Sequence, residues 1–172
     1  MDMRLRPATD ADENLLECIY RSTREEELSL TPWDETQRAA FVSMQFIAQR
    51  THYGRYFARS TQWIVEVRAA EGWQASGRLW RHDRPQAIHL LDVALLPEWR
   101  GRGLGSRLLR QLTCEAATTG RAVSIHVEQH NPARRLYERL GFVPEGEPEG
   151  LYQRMVWNEG ALVLMESSYE QA

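Results

Sequence analysis

Residues 100–105 read Arg-Gly-Arg-Gly-Leu-Gly, directly after the turn residues Pro97 and Glu98. Upstream, residues 88–96 are apolar except for His89 and Asp92. Downstream, Leu104, Leu108, Leu109 and Leu112 recur at helical spacing. The pattern is a strand, a glycine-rich turn and an amphipathic helix. A helix that opens on such a turn aims unpaired backbone N–H groups at one spot, and its dipole adds positive potential there. Glycine has no Cβ, so a bulky anion can approach the backbone closely. This stretch therefore predicts a pocket for a phosphate or pyrophosphate, against the plainer alternative of a glycine-rich turn without a ligand.

The identity of the anion is narrowed by exclusion. The phosphate loop Gly-x-x-x-x-Gly-Lys-Ser/Thr is absent, and the dinucleotide pattern Gly-x-Gly-x-x-Gly fails because Ser106 stands where its third glycine belongs. The segment resembles instead the coenzyme A pyrophosphate loop of the GNAT superfamily of N-acetyltransferases, Gln/Arg-x-x-Gly-x-Gly/Ala, with Arg100, Gly103 and Gly105 at the fixed positions. A second stretch, residues 131–142, reads Asn-Pro-Ala-Arg-Arg-Leu-Tyr-Glu-Arg-Leu-Gly-Phe and is similar to the other hallmark segment of that family. It departs in one respect: many members have one more residue between the Asn and the Tyr. The two segments span roughly residues 88–142.

Around them the chain reads as one domain over residues 1–157 with a tail over 158–172, an extra strand or a contact with a partner such as a second copy in a homodimer. Strands are expected at 3–6, 63–67, 76–80, 87–95, 122–128, 142–145 and 151–157. Helices are expected from residue 9 or 10 to about 28, and over 34–56, 104–119 and 131–140. The strand–helix–strand–helix unit in the middle is a βαβ signal. The resemblance implies the full α/β (α+β) GNAT fold, a mixed central sheet of six or seven strands flanked by four helices. It also implies that the strands before and after the third helix part to form a slot for the pantetheine arm.

Composition agrees. Hydrophobic residues make up 42 % of the chain, enough for an ordinary core. The formal net charge of -3 argues against a general nucleic-acid binder. No run of 18 apolar residues and no apolar signal region occurs, so no membrane partner and a cytoplasmic location are the expectation. Cys18 and Cys114 have apolar neighbours and read as buried free thiols. No clustered Cys/His spacing or His-Glu-x-x-His occurs, so no metal is expected. His52, His82 and His130 read as surface or loop residues. All 21 basic residues are arginine, so no lysine side chain is available for self-acetylation.

Acetyl transfer from acetyl-CoA to an amine, with coenzyme A as product, needs a base for the amine, donors for the developing oxyanion and an acid for the leaving thiolate. The resemblance implies that Tyr137, the Tyr of Leu136-Tyr137, lies beside the coenzyme sulfur as the acid; a core tyrosine is the alternative. His126 and His89 correspond by strand position to glutamates used as bases in parts of the family, and a histidine titrates near neutrality. Either is otherwise a hydrogen-bonded sheet residue. Asp92 and Glu128 are weaker candidates. For the coenzyme, the resemblance implies the backbone of Arg102, Gly103, Leu104, Gly105 and Ser106, flanked by Arg100, Gly101 and Arg102. The backbone of Val93, Ala94 and Leu95 pairs with the pantetheine amides. Asn131 bonds near the pantetheine or caps the fourth helix. The acceptor, a small-molecule amine or a peptide or protein N-terminus attacking directly in a ternary complex, is expected near Glu26, Trp33, Tyr53, Trp80 and Glu128, with Tyr152 a further aromatic candidate. An acidic and aromatic mouth suits a cation; a solvated helix face is the alternative. A GNAT-like domain that binds acyl-CoA as a sensor or interaction module, without catalysis, is the competing reading.

Overall fold

In a computed structural model, residues 2–159 are described. Seven strands form one mixed sheet of order β1-β2-β3-β4-β5-β7-β6. They are β1 (Met3–Pro7), β2 (Thr61–Ala69), β3 (Gly72–Asp83), β4 (Ala87–Leu95), β5 (Ala122–Glu128), β6 (Val143–Pro144) and β7 (Tyr152–Trp157). The helices are α1 (Glu13–Ser29), α2 (Glu35–Tyr56), α3 (Leu104–Thr118) and α4 (Arg134–Arg139). The extra strand expected within the tail falls at residues 161–165, outside the described residues. No described helix is long and apolar enough to cross a membrane. The chain divides into two compact units; one takes the chain up to Trp80 with Asp92–Arg102, the other Arg81–Leu91 and the chain from Gly103 on.

In the first unit, β1 pairs antiparallel with β2, from Met3↔Val67 to Pro7↔Trp63. Leu16, Tyr20 and Leu28 of α1, Val42 and Phe46 of α2 and Ile64 of β2 form its core. The recurrence of these apolar residues every three or four positions is what turns one stripe of each helix inward. Ion pairs Arg21–Glu35 and Arg50–Glu13 and a Ser43–Glu17 hydrogen bond tie α1 to α2 on their outer sides. Asp34 caps α2 reciprocally: its Oδ1 accepts from Gln37 N at 2.9 Å, and Gln37 Oε1 accepts from Asp34 N at 3.0 Å. Asp12, just before α1, accepts from Arg6 at 2.6 Å, and this guanidinium holds its carboxyl far below the usual carboxylate range. Cys18 is exposed, contrary to the expectation from its neighbours, because the helical turn directs it away from Leu16, Ile19 and Tyr20.

In the second unit, β4 runs parallel to β5 from Ala87↔Ala122 to Leu90↔Ile125. β5 continues past that last pair, and His126, Val127 and Glu128 pair antiparallel with Arg154, Gln153 and Tyr152 of β7. Leu104, Leu108, Leu109, Leu112 and Ala116 line the buried stripe of α3. Arg81, Asp83, Glu115 and Arg121 form a closed ring of alternating charge, with contacts of 2.6–3.0 Å. Cys114 is exposed on α3, again correcting the expectation of burial: the buried stripe passes through Leu112, Thr113 and Ala116. His82 also differs from its surface-or-loop reading, since it lies half-buried on β3 with Nδ1 shielded from solvent.

Candidate active site

The glycine turn has the geometry that its sequence predicts. Gly101 and Gly103 take φ of 70° and 78°, the left-handed region that a side chain rarely enters. Gly103 is the residue before α3, and its carbonyl accepts the first helical bond, from Arg107 N at 3.0 Å. A Cβ at either glycine would meet no atom within 4 Å, so the space over the turn is open. The first N–H groups of α3, at Leu104, Gly105 and Ser106, have no acceptor within the helix. Such a turn could hold an anion against its backbone. Arg102 lies over the Trp99 ring at 5.1 Å, leaving its charge at the turn. The Arg100 side chain points back instead, donating to Leu95 O at 2.8 Å and to Ser22 O at 3.0 Å. It braces the turn.

Upstream of the turn, Ala94 is buried and Val93 and Leu95 are half-buried. Their path depends on Gly77 of β3, where a Cβ would stand 2.2 Å from Ala94 O and 2.8 Å from Leu95 Cδ2. Leu96 N donates to Ser76 O at 2.9 Å beside it. Arg78, the next residue, is only 1 % exposed. It forms an ion pair with Asp92 Oδ2 at 2.5 Å and donates to Gln49 Oε1 at 3.0 Å, under the Tyr20 ring. Asp92 is thus the counter-charge of a buried arginine, which leaves it poorly placed as a base.

On the second unit, His89 and His126 come together, with ring centroids 5.3 Å apart and nearly edge to face. Their environments differ. His89 is buried and its Nδ1 meets Ser124 Oγ at 2.9 Å. Burial, then the neighbouring His126, Arg84, Arg154 and His82, push it down to about 4. His126 is exposed, one residue past the end of the β4·β5 ladder. Glu128 is exposed two residues further along the same face. Tyr137 is buried on α4 and packs edge to face on Phe142 at 5.6 Å. Asn131 precedes α4; its Oδ1 accepts from Ala133 N at 2.9 Å, an Asx turn rather than a helix cap. With His130, Arg134 and Arg135 it lines a hollow of about 500 Å³.

Of the acceptor candidates of the first unit, only two come together. Tyr53 and Trp80 meet edge to face at 4.7 Å, with Trp80 Nε1 donating to Ser60 Oγ at 2.9 Å. Trp33 packs on Phe41 at 5.0 Å, against the core. Glu26 is exposed on the last turns of α1. Three residues placed beside these groups escaped the sequence reading: Gly77, Ser124 and Arg154. Only Gly77 leaves a sequence signal, a glycine inside a strand pattern that marks a close backbone approach. Among the described residues, no group of three or more His, Cys, Asp or Glu could hold a metal ion.

The model of the acetyltransferase (GNAT) domain family matches residues 58–144, half of the chain. Compared with curated proteins by sequence, the chain has no match. Among solved structures, it is similar to the PaiA N-acetyltransferase of Thermoplasma acidophilum in complex with coenzyme A, at 15 % identity and a TM-score of 0.66, over 92 % of this chain and 99 % of that one. It is also similar to the spermidine N-acetyltransferase of Vibrio cholerae in complex with CoA and spermine, at 18 % identity and a TM-score of 0.61, over 94 % and 98 % of the two chains. A domain from Methanocaldococcus jannaschii matches at 14 % identity and a TM-score of 0.66, over 91 % and 98 %. At these identities the likeness is one of fold.

Proposed function

The chain belongs to the GNAT acetyltransferase family, and from that premise we propose that it is an N-acetyltransferase moving the acetyl group of acetyl-CoA to an amine by direct attack in a ternary complex. The amine is a small molecule or a peptide or protein N-terminus. The observation that carries the reading is the open, left-handed turn at Gly101 and Gly103 under the first amides of α3, which suits a pyrophosphate. The backbone of residues 102–106 would hold that group, with the charge of Arg102 beside it. The backbone of Val93, Ala94 and Leu95 would pair with the pantetheine amides, and Asn131 would bond near that arm.

When bound, acetyl-CoA supplies an activated carbonyl, to which the amine nitrogen forms a C–N bond as the C–S bond breaks and the thiolate leaves. The chain's part is proton management. His126, exposed and beside a neutral His89, takes the proton that the amine loses and returns it to water. Tyr137 gives its phenolic proton to the leaving sulfur and regains one from solvent. Its packing on Phe142 fixes the ring for that task.

Thiol release from acetyl-CoA over a panel of amines, with the acetylated product identified by mass, tests the transfer. Tyr137→Phe is expected to lower kcat about 100-fold while the acetyl-CoA Kd stays as in the wild type. Normal turnover in that variant would reduce Tyr137 to a packing group.

A further inference from the structure

The strand face that carries His126 is graded in charge. Ser124, His126 and Glu128 alternate along β5 on one side, successive members roughly 7 Å apart. His89 joins at Ser124. Arg154 of β7 stands directly opposite His126, where paired Cβ atoms lie about 5 Å apart. Arg84 lies in the turn between β3 and β4, exposed, and no ion pair holds it among the described residues. His82 is two residues before it on β3. Arg154 and His89 thus flank His126, Arg84 and His82 add positive charge on the far side of His89, and Glu128 lies two residues along at the other end of this face. The second carboxylate here, Glu145, is tied to Arg154 through Nη1. A guanidinium has five N–H donors, so this pair leaves most of the Arg154 fork to a ligand. Burial and the nearby His126, Arg84, Arg154 and His82 oppose a proton on His89.

A polyamine would bring several ammonium groups to a face where arginines repel them. A zwitterion fits both ends. We propose that the acceptor is an amino acid or a similar small amino-carboxylate, with its carboxylate on Arg154 under the added charge of Arg84 and its amine between His126 and Glu128. This rests on the transferase reading above and narrows its substrate class. Arg154 is a binding residue in it, and Glu128 draws the ammonium toward the base.

The experiment measures kcat/KM with acetyl-CoA for free amino acids, for the amines made by decarboxylating them, and for spermidine. The expected result is a preference for amino acids over their own decarboxylated amines. In Arg154→Gln the ratio of the two falls about ten-fold, the loss of one charge-assisted hydrogen bond. Arg84→Gln, in an exposed turn, lowers the same ratio by a smaller factor. A wild-type preference for spermidine or for the decarboxylated amines, or an unchanged ratio in both variants, overturns the assignment and leaves the transferase standing. No thiol release from any acceptor by a protein that binds acetyl-CoA overturns the transferase reading and this one with it.

Discussion

Two histidines with ring centroids 5.3 Å apart differ in burial, and the proposed mechanism gives them different parts for that reason. His89 is 8 % exposed and shifted down to about 4, so it is neutral at working pH. His126 is exposed and able to exchange its proton with water. His126→Gln is therefore expected to lower kcat about 100-fold and to remove the acid limb of the pH–rate profile. His89→Gln retains that limb; its loss there instead would exchange the two roles. Burial of neutral His89 has a second consequence, for stability. In the unfolded chain this side chain takes a proton near its ordinary value of 6.5, in the folded chain only near 4. Between those values the unfolded state binds the extra proton, so stability falls as pH drops through that window. The paired carboxylates Asp12, Glu66, Asp83 and Glu115 are all shifted down, and what they contribute is lost only at lower pH. Denaturant midpoints between pH 7 and pH 4 are expected to fall for the wild type and to fall less for His89→Gln. Parallel curves would remove the burial cost of His89 from the account.

At the scale of elements, the glycine turn works because a short stretch of β4 is held in place before it. Gly77 allows Ala94 O to approach to where a Cβ would stand, and the backbone of residues 93–95 depends on that approach. Gly77→Ala is expected to shift this stretch, lowering the thermal midpoint and weakening acetyl-CoA binding about ten-fold or more, as overpacking of 1–3 kcal/mol implies. An unchanged midpoint and affinity would show that β4 gives way freely. Element identity was well marked in the sequence where apolar residues carry a clean period, as in α3 and β5. It was poorly marked where charge pairs with charge. β3 extends to Asp83 rather than stopping near Trp80, and there Arg81 pairs with both Asp83 and Glu115. The fourth helix begins at Arg134 rather than Asn131, since the Asn131 side chain takes the Ala133 N–H and turns the chain first.

Across the whole molecule, the turn proposed for the coenzyme was legible because its geometry is written in backbone: glycines at fixed spacing leave a trace in one dimension. The acceptor half was not, because it depends on which strands lie side by side. Arg154 is set opposite His126 only by the register of β5 and β7, and Trp33, read as part of a mouth, packs on Phe41 against the core. The chain's own chemistry adds a constraint at this scale. Its basic residues are all arginine, so no lysine side chain competes with an external acceptor for the acetyl group. Calorimetric titration of acetyl-CoA into the wild type and Gly103→Glu tests the central claim most directly. The account predicts a single site of micromolar or tighter Kd in the wild type, lost in the variant, whose carboxylate would project into the open space over the turn. No binding by the wild type, or equal affinity in a folded variant, would contradict it.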